Sequence, residues 1–135
     1  MSAQILLTRR PQDSIEECFQ NPAYYFFVAK DDGNNVVGYI ATYIVRDEAF
    51  VENVCVTESA RRQGIGRALV ERAIENSSRV GDVVLDLFLG SGSTLIACER
   101  TGRVCYGAEI DAHYGTVVLA RWESFTGEKA RKVEP

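Results

Sequence analysis

The sequence predicts an α/β (α+β) fold, a three-layer α-β-α sandwich around a mixed sheet of about six strands. In the first half, runs rich in Val, Ile, Tyr and Phe are separated by short turn sequences, which is typical of an antiparallel meander. In the second half, apolar runs alternate with segments whose apolar residues recur every three or four positions, which predicts parallel strand–helix–strand units. The chain has 135 residues, so we expect a single domain with halves at 1–80 and 81–135 and strands in sequential order.

Composition argues against several classes of function. The net charge of −4 does not favour non-specific attraction to nucleic acid. No apolar run approaches the roughly 20 residues of a membrane span, and the first residues, Met1-Ser-Ala-Gln, lack a signal-peptide pattern. His113 is the single histidine, which argues against a zinc site and against a histidine triad. We expect a cytoplasmic monomer or homodimer with no metal, no membrane partner and no nucleic-acid partner.

The cysteines are predicted to be free thiols. Cys18, Cys55, Cys98 and Cys105 show no C-x-x-C spacing. Cys55 and Cys105 fall in apolar strands, so we expect both to be buried in a protein of a reducing compartment.

The first half is predicted to consist of strands and turns followed by a helix. Asn21–Tyr24 is typical of a turn, and Asp31–Asn35 is a hairpin turn with residues suited to positive φ. Asp13 or Ser14 can cap the first helix. In chain order, the predicted elements are a strand at 4–8, a helix to about 20, strands at 24–29, 36–45 and 49–56, and a helix from about 65.

A glycine-rich turn joins the strand at 49–56 to the following helix. Gly64 and Gly66 let a phosphate approach the backbone, and three arginines nearby add positive charge. The first N–H groups of a helix have no intrahelical acceptor, and the helix dipole favours negative charge there. The pattern indicates a diphosphate-like ligand, although an ordinary strand–turn–helix joint with solvated arginines has the same pattern.

These residues resemble the acetyl-CoA pyrophosphate loop of the GNAT superfamily of N-acetyltransferases. The likeness rests on Val54-x-Val56 followed by Arg61-x-x-Gly64-x-Gly66, and it covers residues 23–80. It implies a GNAT-like sheet, an acetyl-CoA cofactor whose pantetheine arm lies between two parallel strands, and a small-molecule or protein amine as acceptor. The residues implied to bind acetyl-CoA are Val54, Val56, Arg61, Arg62, Gln63, Gly64, Ile65, Gly66 and Arg67.

The same resemblance implies two catalytic candidates. Glu52 lies on the strand implied to line acetyl-CoA, where several GNAT members keep a glutamate that accepts the proton of the amine. A solvent-facing residue on an alternating strand is the other interpretation of Glu52. Sliding Gly102 onto the family's Gly-Phe step places Cys98 where the family has its general-acid tyrosine. A buried packing role is the other interpretation of Cys98.

The second half contains a different glycine turn. Val83 to Phe88 is a nearly continuous apolar strand, as a strand buried on both faces requires. Gly90 and Gly92 form a tight turn into a helix predicted at about 93–100. The dinucleotide fingerprint is not met, because Leu95 stands in place of its third glycine, so NAD is not expected. An ordinary strand–helix–strand unit with a glycine turn is the alternative.

Residues 81–130 resemble the C-terminal S-adenosylmethionine-binding segment of DNA amino-methyltransferases, which act on adenine or cytosine. Asp86-x-Phe88-x-Gly90-Ser-Gly92-Ser-Thr94 matches their first motif. Tyr106-Gly-x-Glu109-x-Asp111 matches the strand whose acid binds the ribose hydroxyls, and a closing helix is implied at about 112–125. The alternative cofactor is therefore S-adenosylmethionine. The residues implied to bind it are Asp86, Phe88, Gly90, Ser91, Gly92, Ser93, Thr94, Glu109 and Asp111.

Each family's catalytic part is incomplete in this chain. Base methylation in these methyltransferases uses an Asp/Asn/Ser-Pro-Pro-aromatic loop, and Asn21-Pro-Ala-Tyr24 lacks its second proline, so we expect no DNA methylation.

The sequence ranks acetyl transfer to a primary amine first, S-adenosylmethionine binding without catalysis second, and a recombined or engineered chimera with neither activity third. Because both glycine turns would end neighbouring parallel strands, we expect the two ligands to exclude each other.

Overall fold

The structure, a computed structural model, describes residues 3–5 and 14–134. A short 3-10 turn at Glu58–Ala60 precedes the second helix. None of the helices in these described ranges combines the length and apolar character that a membrane crossing needs. The elements in chain order are β1 (Ala3–Ile5), α1 (Ser14–Gln20), β2 (Tyr24–Lys30), β3 (Val36–Val45), β4 (Glu48–Val56), α2 (Ile65–Ser77), β5 (Val83–Asp86), α3 (Ser93–Thr101), β6 (Val104–Gly107) and α4 (Ala112–Thr126).

Strands β2, β3 and β4 form an antiparallel sheet in that order. The β2–β3 hairpin turns at Asp31–Asn35, where the Asn35 N–H donates to Asp31 Oδ1 at 2.8 Å. Asn34 in this turn has a φ of 66°, a conformation that asparagine tolerates better than most residues. The predicted hairpin is confirmed.

Helix α2 covers one face of the antiparallel sheet. The contact is a buried cluster of four residues, Ile40, Val51, Leu69 and Ala73. Phe27 of β2 packs against this cluster, so its neighbour Phe26 points to the opposite face. On that face, Phe19 of α1 stacks on Phe26 with ring centroids 4.3 Å apart. Helices therefore lie on both faces of the sheet, as the three-layer prediction requires.

Strands β1, β5 and β6 form a parallel sheet with β5 in the centre. Helix α3 connects β5 to β6 and packs against β6. A second buried cluster joins α2, β5 and α3 and consists of Ile74, Val84, Ala97 and Cys98. Val84 and Asp86 are buried and Val83 and Leu85 are half-buried. The strand predicted at Val83–Phe88 therefore ends at Asp86, and the expectation of burial on both faces is wrong for its last two residues, which are exposed. The antiparallel first half and the parallel second half are both confirmed.

The order of the strands differs from the predicted sequential order. Ala3–Ile5 pairs with residues 84–86, so β1 and not β4 is the hydrogen-bonded neighbour of β5. β1 also contacts β4. The described strands therefore form two three-stranded sheets instead of one continuous ladder. A strand of three residues has no periodic pattern that identifies its partner, and the rest of the predicted strand at 4–8 lies outside the described residues.

Polar contacts between helices and loops connect the two halves. Arg100 of α3 forms an ion pair with Glu71 of α2, with Nε and Oε1 2.8 Å apart. The Arg103 guanidinium donates to the Ser78 hydroxyl at 3.0 Å and to the Ser78 carbonyl at 2.7 Å. Helix α2 thus packs on the antiparallel sheet and is also held to the parallel half.

The cysteines are free thiols, but one predicted environment is wrong. Cys98 is buried and Cys105 is half-buried, whereas Cys55 is exposed. Val54 and Val56 pack on the cluster beneath α2, and a residue between them on a strand points to the other face. The apolar neighbours of Cys55 in the sequence therefore do not share its environment.

Candidate cofactor-binding site

The turn between β5 and α3 has a backbone conformation that favours glycine. Gly90 and Gly92 have φ angles of 51° and 81°. The Gly92 N–H donates to the Leu89 carbonyl at 2.8 Å and closes the turn. A Cβ on Gly92 would lie 3.2 Å from both methyl carbons of Val118 in α4. The predicted glycine turn leads into α3 as expected, and α4 packs directly against it.

Two carboxylates accept backbone N–H groups at this turn. Asp86, at the end of β5, is buried, and its Oδ1 accepts the Phe88 N–H at 2.9 Å. Glu109, two residues after β6, reaches across and accepts the Gly90 N–H through Oε2 at 2.7 Å. The Glu109 Oε1 accepts the Asp111 N–H at 2.9 Å. The structure therefore brings Asp86, the glycine turn and Glu109 together, as the methyltransferase resemblance implies.

Asp111 has a structural task in this arrangement. Its side chain accepts the His113 N–H at 2.8 Å and caps the N-terminus of α4. The cap orients α4 so that Val118 meets Gly92. A direct contact between Asp111 and a ligand remains a prediction.

Apolar side chains around the turn are exposed. Phe88 is 70 % exposed and Ile110, next to Glu109, is fully exposed. Leu87 and Tyr114 are also exposed large apolar side chains near these positions. Exposed large apolar residues close in sequence to a polar turn are consistent with a binding surface.

The hydroxyl residues of the turn differ in their exposure. Ser91 is exposed, Ser93 at the start of α3 is half-buried, and Thr94 in the first turn of α3 is buried. The Ser91 carbonyl accepts Arg121 Nη1 of α4 at 3.0 Å. The sequence does not assign Arg121 to the site, because its contact with Ser91 depends on how α4 docks.

The first glycine turn, between β4 and α2, also has its predicted geometry. Gly64 has a φ of 81° and is the residue immediately before α2. Arg61 Nε donates to the Val56 carbonyl at 3.2 Å, and Gln63 Nε2 donates to the Ser59 carbonyl at 3.2 Å. These side chains are thus used to shape the turn itself.

The remaining residues implied to bind acetyl-CoA lie in different environments. Arg62 is exposed and has a φ of 61°, and Gly66 is half-buried. Arg67 Nε lies 3.5 Å from Glu71 Oε1. The apolar members of the set pack against the cluster beneath α2 and are Val54, Val56 and Ile65.

Glu52 occupies an irregular position in β4. Ala41 pairs with Asn53 and Thr42 pairs with Val51, so Glu52 is the extra residue of a β-bulge. The Tyr24 hydroxyl donates to Glu52 Oε1 at 3.5 Å, on the sheet face opposite α2. Bulges often re-aim a side chain beside an active site, and a role of Glu52 as a base remains a prediction.

Cys98 does not have the surroundings expected of a general acid. Its side chain is 1 % exposed and belongs to the cluster with Ile74, Val84 and Ala97. A proton donor to a departing thiolate must reach the bound ligand, and this thiol faces the core. The packing interpretation of Cys98 fits the structure and the catalytic one does not.

The two glycine turns do not end neighbouring hydrogen-bonded strands. β1 pairs with β5 along the edge that β4 was expected to occupy. The geometric basis for mutual exclusion of the two ligands is therefore wrong. The same pairing places a strand where the GNAT resemblance implies a cleft for pantetheine.

Residues 59–119 match the sequence profile of the DNA methylase family. The type II methyltransferase M.ScaI from Streptomyces caespitosus is 35 % identical over 78 residues, which is 51 % of this chain and 26 % of that protein. The resemblance to DNA methylases is confirmed. The profile begins well before residue 81, so α2 belongs to the methylase-like segment as well as to the stretch that resembles GNAT proteins.

The solved structures similar to this chain include a methyltransferase complex and an acetyltransferase. The M1.HpyAVI–SAM complex aligns over 90 % of this chain and 88 % of that chain with a TM-score of 0.53 and 15 % identity, which shows a shared fold. The ribosomal-protein-S18-alanine N-acetyltransferase from Escherichia coli is 29 % identical over 51 % of this chain and 43 % of that chain, with a TM-score of 0.45.

The chain spans 18 %, 26 % and 19 % of the length of three type II methyltransferases that it matches, M1.MboII, M.ScaI and M.SmaI. The similarity therefore concerns one segment of those proteins.

Proposed function

We propose that this chain binds S-adenosylmethionine at the turn between β5 and α3. The observation that carries the proposal is the position of Glu109, whose carboxylate spans from the end of β6 to the Gly90 N–H at 2.7 Å. This contact joins the two loops that end neighbouring parallel strands, where ligands of parallel sheets bind. The methylase profile at residues 59–119 supports the same assignment.

The chemistry of Glu109 suits a ribose diol. Each carboxylate oxygen can accept about two hydrogen bonds, and Oε1 and Oε2 each accept one backbone N–H in the described structure. Each oxygen thus keeps capacity for one ribose hydroxyl. The two N–H donors hold the carboxylate in place before a ligand arrives, which lowers the cost of ordering on binding.

The exposed apolar residues supply the other half of the recognition. Phe88 precedes Gly90 by two residues and Ile110 follows Glu109, and both side chains are exposed, so a flat adenine ring bound at this turn could cover them. Covering them removes apolar area from water and favours binding. Asp86 supports this surface because it fixes the Phe88 backbone at 2.9 Å.

Binding, not methylation, is the proposed activity of this chain. Asn21 begins a turn in which its Oδ1 accepts the Ala23 N–H at 3.0 Å and its carbonyl accepts the Tyr24 N–H at 3.0 Å. That geometry leads the chain into β2 and supports the interpretation of a turn. The chain carries no Pro-Pro-aromatic sequence that holds a base amine.

The test is calorimetric titration of the chain with S-adenosylmethionine, with Glu109→Gln as the variant. The amide keeps the size of the side chain but loses the charge and one acceptor, so the dissociation constant should rise about tenfold to a hundredfold. Glu58→Gln, an exposed glutamate in the other half, is the matched control and should leave the affinity unchanged. No heat with the unmodified chain, or equal affinities for both variants, would contradict the proposal.

Acetyl transfer, which the sequence ranks first, becomes the second candidate. It is favoured by one observation, the formation of the β4–α2 turn with Gly64 at φ 81° and Glu52 at a bulge. Titration with acetyl-CoA separates the candidates. Binding that is lost in Gly64→Asp and kept in Glu109→Gln would restore the acetyltransferase hypothesis.

A further inference from the structure

Two cysteines meet between α3 and β6, and neither is used in the proposed cofactor site. Cys98 is 1 % exposed and Cys105 is half-buried. Cys98 belongs to the buried cluster with Val84 and Ala97, and Cys105 packs against that cluster from β6. We propose that Cys98 and Cys105 are a redox pair that forms an intrachain disulfide when the protein meets a peroxide.

The two thiols are not equivalent. The hydrogen bond with Cys105, followed by burial, raises the pKa of Cys98. The same hydrogen bond, which Cys105 accepts from Cys98, lowers the pKa of the Cys105 thiol. Cys105 lies on β6, an edge strand of the parallel sheet, and is the more accessible of the two. Cys105 is therefore the attacking thiol and Cys98 the resolving one.

The oxidation takes place in two balanced steps. The Cys105 thiolate attacks one oxygen of hydrogen peroxide, the O–O bond breaks, and the released hydroxide takes up a proton to leave as water. The resulting sulfenic acid is then attacked by the Cys98 sulfur, the S–O bond breaks, and the Cys98 proton leaves with the oxygen as a second water. Two thiols lose two electrons and the peroxide gains them.

The surrounding backbone keeps the pair close. The Arg103 N–H donates to the Cys98 carbonyl at 2.9 Å, so the chain turns tightly from α3 into β6. The Gly102 N–H donates to the Glu99 carbonyl at 3.4 Å in the same turn. The cross-link closes this short loop and needs no rearrangement between the halves of the chain. The proposal does not rest on cofactor binding.

Peptide mapping of the full chain tests the pair. The protein is treated with hydrogen peroxide, free thiols are alkylated under denaturing conditions, and trypsin is added. Arg100 and Arg103 lie between the two cysteines, so the disulfide must appear as peptide 80–100 joined to peptide 104–121. Dithiothreitol should separate the two peptides and restore alkylation of both cysteines.

The controls distinguish this pair from general oxidation. A Cys18→Ser/Cys55→Ser variant removes the other two thiols and should form the same cross-link at the same rate. Cys105→Ser, checked by its thermal unfolding, should give none and should leave Cys98 alkylated as a free thiol. If the unmodified chain yields only sulfinic acids, or disulfides at Cys18 or Cys55, the proposal is overturned.

Discussion

Replacement of Gly92 by alanine should destabilise the fold by about 3 kcal/mol. The left-handed backbone, with φ at 81°, costs a residue with a Cβ about 1–2 kcal/mol. The new methyl would lie 3.2 Å from both methyl carbons of Val118, which is 5 % exposed and cannot move freely. Such overpacking costs about 1–3 kcal/mol. Lower entropy of the unfolded chain offsets about 0.4–1 kcal/mol of this loss.

Equilibrium unfolding in urea measures the loss, and Gly90→Ala is the matched control. Gly90 also has a positive φ of 51°, but its nearest neighbour to a new Cβ is the Phe88 carbonyl oxygen at 3.9 Å. Its variant should lose only about 1 kcal/mol, with an unchanged m value. The double variant Gly92→Ala/Val118→Ala should be more stable than the sum of its single changes by about 1–2 kcal/mol. Equal losses at Gly90 and Gly92, or additivity in the double variant, would refute the contact with Val118 as the cause.

Two further outcomes are expected at sites away from the glycine turn. Ser77→Ala should raise the free energy of unfolding by about 1 kcal/mol, because the Ser77 hydroxyl is buried and no partner for it lies among the described residues; a lower melting temperature would contradict this. The Asn35 side chain, together with its backbone N–H, lowers the pKa of Asp31. The stability that the ionised Asp31 carboxylate gives to the hairpin is therefore present at neutral pH and is lost as the pH falls through that lowered pKa. Asn35→Ala should move the Asp31 pKa back towards the usual value of an aspartate in an NMR titration, and an unmoved pKa would show that the amide is not the cause.

The fold could be predicted wherever a local pattern determines it. The β2–β3 hairpin follows from Asp31–Asn35, and β3 has the predicted ends at Val36 and Val45. Helix α4 lies within a residue of its expected range. The partner of β1 could not be predicted, because pairing between distant segments depends on the whole assembly and Ala3–Ile5 has no distinctive pattern.

The glycine turn of the candidate site could be predicted from the sequence, but the residues of α4 that pack against it could not. Gly90, Gly92 and Glu109 were expected to meet, and the structure brings them together. Val118 and Arg121 support the turn from α4, and only the docked helix reveals them. The irregular register of β4 is visible in the sequence as a spacing of three between the apolar residues Val51 and Val54. In the structure both pack towards α2. A strict strand period of two cannot place both on one face, so that spacing indicates the bulge at Glu52.

The pairing of β1 with β5 has a consequence for how the chain folds. The β2–β3 hairpin closes a turn of only a few residues, whereas the contact of Ala3 with Val84 closes a loop of roughly 80 residues. The difference in closure entropy is on the order of 2.5 kcal/mol, and it must be met before the long-range contact contributes any stability. The antiparallel half can thus form early from neighbouring segments during synthesis, while the parallel sheet waits for β5 to emerge. Docking of the first strand is then a late step, and its hydrogen-exchange protection should appear after that of β3.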